Sequence, residues 1–437
     1  MTPDLVETVR TEVADQLASR LRADEKAGRA AMGEADRAAL GRQLIAEAFE
    51  AHARRCVAKG APVLDADEED ALAQAVHDAL FGLGRLQRLL GDDAIENIDA
   101  MGADNVWVRY ADGTRERVGA ISEDDAELEE LIRTAAARLG VSERRFDFGS
   151  PRMSLQLPDG SRMFAVMGGT VASRPCVSIR RHRHLKVSPE DLVGLGTMDV
   201  ALREFCGAAV RGRLNLIICG GTGAGKTTML RALASDIGPE ERLITIEDSF
   251  ELALDRYPEL HPNVVALQSR EPNVEGEGEV ALAELVRWAL RMSPDRVIVG
   301  EVRGEEVLPM LNAMSQGNDG SMCTIHANSS RGAFGKLAAY AIQAPERLPL
   351  EATNLLVANA IDFVVHLDQD ARGRRFVASV REVVDAEGPL VVSNEVFRPG
   401  PDGRAVPGAP LRAETAQRLE EAGMDLGLLE RPQGWWE

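Results

Sequence analysis

Apolar residues recur at helical spacing along the first eighty positions, and the texture of the chain then changes twice. Leu5, Val9, Val13, Leu17 and Leu21 fall on one stripe, Leu40, Leu44, Ile45 and Phe49 on a second, and Leu72, Val76, Ala79 and Leu80 on a third. This spacing predicts a helical bundle over residues 1–80, rich in alanine and charge. Such a bundle serves either as a partner-docking module or as a packed cap, and the pattern does not choose. Beyond Gly82, short apolar runs such as Val106-Trp107-Val108 are separated by turn sequences such as Ala111-Asp112-Gly113 and Pro158-Asp159-Gly160, which predicts an α+β domain over 81–190. From 200 to 370, buried-strand runs alternate with helical periods, the signature of an α/β fold with a mainly parallel, doubly wound sheet. Its strands are predicted to end at Cys219, Glu247, Val299, Ile325 and Leu367. Strand-like runs at 376–384 and 390–396, a Pro/Gly-rich stretch and a short helix to Glu430 make a C-terminal β/α extension over 371–437.

Composition agrees with several packed domains. At 437 residues and about 150 residues per domain, two to four domains are expected. Hydrophobic residues at 45% suffice for proper cores, but aromatics at 4% leave the packing to aliphatic side chains. No stretch approaches the roughly 20 apolar residues of a membrane span, and the opening Met1-Thr2-Pro3-Asp4 lacks the layout of a secretion signal, so a cytoplasmic protein is expected. The five cysteines are scattered without a C-x-x-C pair, which points to reduced thiols. A formal charge of −20 repels phosphate backbones over the surface as a whole, so nucleic acid is not an expected partner. Arg174, Arg180, Arg181, His182, Arg183, His184 and Lys186 nevertheless form a local basic cluster, read either as a solvated linker or as an inter-subunit or nucleotide-facing patch.

The chemistry begins where the apolar run 214–219 meets Gly220-Gly221-Thr222-Gly223-Ala224-Gly225-Lys226-Thr227-Thr228. Gly220 and Gly225 hold the spacing G-x-x-x-x-G-K-[ST] of a phosphate-binding loop, in which glycines let backbone N–H groups curl around the anion. Lys226 would reach the β- and γ-phosphate oxygens, and the Thr227 hydroxyl would ligate Mg²⁺. Met229, Leu230, Leu233 and Ile237 predict a helix that continues until Gly238-Pro239, with its positive dipole end at the loop. A glycine-rich turn carrying an ordinary solvated lysine is the plainer alternative; the strand, loop and helix in that order oppose it.

Further candidates lie at strand ends, where open α/β sheets bind ligands. Residues 296–301 form a strand ending in Glu301, the context of a Walker B element, with Gly300 where most such enzymes carry aspartate. Glu247 and Asp248 end a second strand. The two carboxylate sources could hold Mg²⁺ through water and polarise an attacking water. His326 and Asn328 end a third.

The order of these four stretches resembles the secretion ATPase superfamily of type II and type IV systems. Gly220–Thr228, Ile246-Glu247-Asp248 with Glu251, Gly300-Glu301-Val302-Arg303, and Gly320-Ser321 through His326-Ala327-Asn328 are similar to the family's Walker A, Asp box, atypical Walker B and His box. Asp159-Gly160-Ser161-Arg162, Ser178-Ile179-Arg180-Arg181, Leu290-Arg291 before Pro294-Asp295, and Ser269-Arg270 with Asn273, Glu275, Gly276 and Gly278 add further matches, so the resemblance covers about 80–385. The N-terminal helices and the segment 82–98 look most like the CpaF-type ATPases of tight-adherence pili. Two positions depart from the family pattern. Asn318 stands where the His box often opens with a first histidine, and Gly304 follows Arg303 where an acid is common.

The resemblance implies a RecA-like ATPase domain behind a PAS-like α+β domain. It also implies ATP and Mg²⁺ as cofactors, a homohexamer with nucleotide at the subunit interfaces, and coupling to inner-membrane platform proteins, so that membrane association is peripheral and through partners only. The expected function is an ATP-driven motor for pilus assembly or secretion, at the inner face of the cytoplasmic membrane. In that reading Lys226 and the loop amides bind the triphosphate, Thr227 and Glu301 position Mg²⁺ partly through water, Glu247 orients the attacking water, and His326 reports on the γ-phosphate. An arginine finger is sought among Arg162, Arg180, Arg181, Arg270, Arg287 and Arg291; Arg287 and Arg291 read equally well as an exposed row on a helix whose apolar face is Leu282, Leu285, Val286, Ala289 and Leu290. A conjugation or DNA-uptake ATPase of the same superfamily and a non-catalytic nucleotide-switched scaffold are the alternatives.

Overall fold

The computed structural model describes residues 2–30, 32–139, 145–169, 171–181, 186–273 and 275–436, with side chains except at 2–4 and 34. The chain forms two compact units, Met1–Arg181 and His182–Glu437.

The first unit opens with three helices, α1 (Thr2–Lys26), α2 (Glu34–Lys59) and α3 (Ala66–Phe81), followed by the short α4 (Leu86–Leu90). Val9, Val13, Leu44, Ile45, Phe49 and Val76 bury into one another, so each of the three sequence stripes faces the bundle axis. Asp65 starts α3 with a reciprocal capping box to Glu68. Next come β1 (Ile95–Met101), β2 (Val106–Tyr110), β3 (Arg115–Val118), α5 (Asp125–Leu139), β4 (Arg152–Gln156), β5 (Arg162–Val166) and β6 (Cys176–Arg180). The strands pair in the order β3-β2-β1-β6-β5-β4, every pair antiparallel. Alternate residues such as Ile98, Val108, Met163 and Ile179 turn inward onto Leu128 and Ile132 of α5. Each fully buried aliphatic side chain there contributes about 1.5–3 kcal/mol.

The second unit runs α6 (Pro189–Gly194), α7 (Val200–Arg211), β7 (Leu216–Gly220), α8 (Lys226–Ala234), β8 (Leu243–Glu247), β9 (Val264–Gln268), α9 (Leu282–Ala289), β10 (Arg296–Val302), α10 (Val307–Ser315), β11 (Met322–His326), α11 (Gly332–Gln343), α12 (Leu350–Ala360), β12 (Phe363–Gln369), β13 (Arg375–Glu387), β14 (Leu390–Pro399), β15 (Ala405–Pro407) and α13 (Ala413–Glu421). Its sheet orders them β15-β14-β13-β12-β7-β11-β10-β8-β9. Neighbours from β12 to β9 are parallel, and β13, β14 and β15 join antiparallel. Leu216 and Ile218 of β7 enter a core with Leu230 and Leu233 of α8, whereas Ile217 and Cys219 face a second core with Val286 of α9 and Leu311 of α10. Burial on both faces explains why these strands read as continuous apolar runs.

One side chain ties the base of β7 to its surroundings. Asn215 donates through Nδ2 to the carbonyls of Met314 and Ala360, both at 2.8 Å, and accepts at Oδ1 from the amides of Gly320 and Ser321 at 2.9 and 3.0 Å. Its own N–H donates to Asp362 at 2.7 Å.

Several element ends differ from those read in the sequence. The helix predicted to reach Gly238 stops at Ala234; the Ser235 hydroxyl donates to the Ala232 carbonyl at 2.6 Å and the Ile237 amide to that of Ala234 at 3.1 Å, tightening the last turn while Ile237 stays buried. β10 continues past Val299 to Val302, with a register shift against β11 between those residues. The sequence reading has no strand at β9, a half-buried edge strand whose Val264 packs against one core and Val265 and Leu267 against the other. The runs at 376–384 and 390–396 extend the parallel sheet itself.

Candidate active site

The loop 220–227 leaves β7 at the centre of the sheet and turns directly into α8. Gly223 and Gly225 take φ of 78° and 91°, the left-handed region that side chains avoid. The loop's carbonyls are claimed by cations: Lys226 Nζ donates to Gly220 O at 3.2 Å and Gly221 O at 3.0 Å, and Arg375 Nε donates to Gly223 O at 2.8 Å. Gly221 and Thr222 are exposed, and among the described residues no atom beyond the adjoining ones lies within 4 Å of where a side chain would start on Gly221 or Gly223. That open, amide-lined rim at a helix N-terminus suits an anion.

A chain of polar contacts joins the start of α8 to the ends of β11 and β10. Lys226 Nζ lies 3.2 Å from His326 Nδ1, and His326 Nε2 lies 2.8 Å from Glu301 Oε1. An ammonium has only donors, so Nδ1 accepts and Nε2 carries the proton it gives to Glu301. The tautomer of His326 is therefore set by its neighbours. Lys226 is buried, while His326 and Glu301 are about one-third exposed at the rim.

Glu247 ends β8 in a different environment. Its Oε1 accepts from the amides of Glu251 at 2.8 Å and Leu252 at 2.7 Å; Oε2 is buried without a hydrogen-bond partner among the described residues. Gly300 makes the room: a Cβ there would sit 3.1 Å from Glu247 Cγ. Burial pushes the Glu247 carboxyl up to about 7 despite the opposing amides. The neighbouring Asp248 points elsewhere, paired with Arg303 and accepting from Ser269 Oγ at 3.1 Å.

The raised pKa links to stability. A carboxyl that binds its proton more tightly folded than unfolded adds stability that is complete below about 4.5 and is lost as pH rises through about 7. Glu247→Gln keeps an acceptor for both amides and removes the charge, so it is expected to match wild type near pH 4 and to exceed it by about 3 kcal/mol at pH 8.5. Urea unfolding at the two pH values measures this, and parallel curves would refute it.

The candidate arginines are dispersed. Arg162 and Arg180 stand directly opposite each other on β5 and β6, a like-charge pairing that costs stability; the hairpin before Arg162 is set by Asp159, which accepts from Ser161 N and Oγ at 2.9 and 2.7 Å. Arg181 is 11% exposed and spent on the carbonyls of Asp92 and Ile95. Arg270 donates to Gly278 O at 2.5 Å. Arg287 pairs loosely with Glu346 at 3.5 Å, and with Trp288, Glu284, Glu305 and Arg291 it lines an open cleft of about 440 Å³. Within the basic cluster, Arg174 is locked to Asp125 and Asp104 and Lys186 lies 3.6 Å from Glu259; His182, Arg183 and His184 lie outside the described residues. Arg375 was missed by sequence reading, since no local pattern connects it to a loop 152 residues earlier.

Residues 80–393 match the family model described as Type II/IV secretion system protein. The chain belongs to the type II/IV secretion ATPases. A Mycobacterium tuberculosis protein named for conjugal transfer is 35% identical to this secretion ATPase over 316 residues, 71% of this chain and 86% of that one. VirB11 of Agrobacterium fabrum is 39% identical over 166 residues, 38% of this chain and 46% of that protein. The crystal structure of the pilus retraction motor PilT with bound ADP shares the fold, with a TM-score of 0.50 at 17% identity over 81% of this chain and 90% of that one.

Where this secretion ATPase departs from the family pattern, its own geometry supplies the reason. Asn318 donates through Nδ2 to Pro294 O at 2.7 Å, a hydrogen bond that holds the turn before β10. Gly304 and Arg303 both give their amides to Glu306 Oε1, at 2.9 and 2.5 Å, so a nearby carboxylate accepts where an acid after Arg303 is common.

Proposed function

We propose that this chain is a Mg²⁺-dependent, ATP-hydrolysing motor that works as a homohexamer on inner-membrane platform proteins, at the cytoplasmic face, to assemble a tight-adherence type pilus or drive secretion. The observation that carries this reading is the connected set of Lys226, at the start of α8 after the loop that leaves β7, with His326 and Glu301 at the ends of the adjacent strands β11 and β10. Those residues fit a nucleoside triphosphate and its divalent cation. The loop amides and Lys226 bind the phosphates, while Thr227 and Glu301 hold the cation and its waters, a cation of this type being held by one or two protein oxygens together with phosphate. When bound, it would neutralise charge developing on the phosphoryl oxygens. Glu247, with a pKa near 7, is suited to orient the attacking water and accept its proton. His326, held neutral between a donor and an acceptor, changes partners when Lys226 turns to phosphate, which gives β11 a report on the γ-phosphate. An arginine from a neighbouring subunit would complete the site, an effect of about 10³–10⁵ in rate.

Specific ATPase activity should rise with protein concentration as rings form and vanish when Mg²⁺ is chelated; steady-state phosphate release across a dilution series, beside sedimentation, tests both. A concentration-independent rate would remove the ring from the proposal. A conjugation motor is the second reading, favoured by the name of the mycobacterial relative and opposed by the charge of −20. DNA binding with a steep salt dependence would select it.

A further inference from the structure

Arg375 is the first residue of β13, in the antiparallel part of the sheet to which the proposed chemistry assigns no role. It is presented rigidly. The turn between β12 and β13 closes on Asp370, whose Oδ1 accepts from the amides of Arg372 and Arg374 at 2.9 Å, with Gly373 at φ 81°. Gln369 and Arg375 pair across the hairpin. From that position the Arg375 side chain meets the phosphate-binding loop twice: Nε donates to Gly223 O at 2.8 Å, and Cδ lies 3.3 Å from where a side chain on Gly225 would begin.

A peptide unit has two edges. Where a cation holds the carbonyls, the amides not already bonded are left for an anion; in this loop Ala224 gives its own amide to Gly221 O at 3.3 Å. Lys226 holds the carbonyls of Gly220 and Gly221, but it is also the residue placed to bind the phosphates, so those bonds compete with the ligand for one ammonium. Arg375 reaches Gly223 by Nε along a fixed strand, and a charge-assisted bond from a planar guanidinium fixes orientation as well as distance.

We propose that Arg375 is a positioning residue for the nucleotide site, holding the Gly223–Gly225 half of the loop with its amides turned to the phosphates and tying nucleotide affinity to the β13–β14 ribbon. The proposal rests on the ATPase reading above. A residue that orients the loop equally for bound nucleotide and for the reacting complex changes KM and leaves kcat alone.

The test uses the full chain with ADP and Mg–ATP as probes. Arg375→Ala is expected to raise the ADP Kd and the KM for ATP about tenfold, the size of one lost charge-assisted bond, with kcat changed less than about threefold. Arg375→Lys, which can still donate to Gly223 O, should recover part of the loss, and Arg375→Gln, which retains part of the stem but no charge, should not. Should Arg375→Ala fail to fold, the Lys and Gln variants give the same comparison. Arg374→Ala removes an adjacent, exposed guanidinium and should leave Kd within about twofold; equal losses at 374 and 375 would mean diffuse charge and overturn the proposal, as would an unchanged Kd in Arg375→Ala. Wild type that binds no nucleotide would instead overturn the ATPase reading, and this inference with it.

Discussion

Replacing Lys226 by alanine is expected to lower ATP turnover by roughly 10²–10³-fold, the cost of deleting one preorganised donor from a charge-stabilising site. Lys226 is 7% exposed, and the bonds of its ammonium to Gly220 O, Gly221 O and His326 Nδ1 aim it across the loop. Alanine takes away both the charge that meets the phosphates and the donor that sets the His326 tautomer. The fold should survive, because β7 and α8 are held by apolar cores on both sides of the sheet, and removing a buried cation offsets part of the lost hydrogen bonding. Phosphate release measured beside far-UV circular dichroism separates the two effects. A variant that keeps its helices and hydrolyses at the wild-type rate would refute the site.

Glu301→Gln should divide binding from turnover. Glutamine still offers an oxygen to His326 Nε2, now 2.8 Å from the carboxylate, so the polar chain from Lys226 persists and nucleotide affinity should stay within about threefold. The negative charge that would help hold the divalent cation is gone, and hydrolysis should fall about 10²-fold or more. Titration with a fluorescent ATP analogue and single-turnover hydrolysis give the two numbers. Equal losses in both would make Glu301 a structural partner of His326, and full activity would remove it from the chemistry.

What the sequence disclosed follows from the range of the interactions. The loop 220–227, its strand and the start of its helix depend on neighbours within a dozen positions, and glycine spacing records them. The bundle stripes were legible because periodicity records which face is buried, and Val9, Val13, Ile45, Phe49 and Val76 are all buried. Glu247 could be picked out as an acid at a strand end, but its raised pKa comes from burial, in the space left by Gly300 of another strand, and not from anything local in the sequence. The glycine in the place of the usual aspartate thus reads differently in three dimensions: it is the space that Glu247 occupies. Arginine composition alone could not tell Arg181, bound to backbone carbonyls, from the preceding Arg180, exposed at the end of β6. Arg375 lay out of reach for the same reason, since a hydrogen bond between a hairpin and a loop leaves no mark on either local pattern.

The amide of Asn215 sets a limit on how this domain can vary. Two hydrogens and two lone pairs are all matched there, from the ends of α10 and α12 and from the turn into β11. Aspartate would set a lone pair against two carbonyls, leucine would strand four backbone groups, and glutamine would overshoot by a methylene. Drift at this site would have to be answered simultaneously by three distant stretches of chain, so the junction tolerates replacement only where α10, α12 and the turn into β11 shift together.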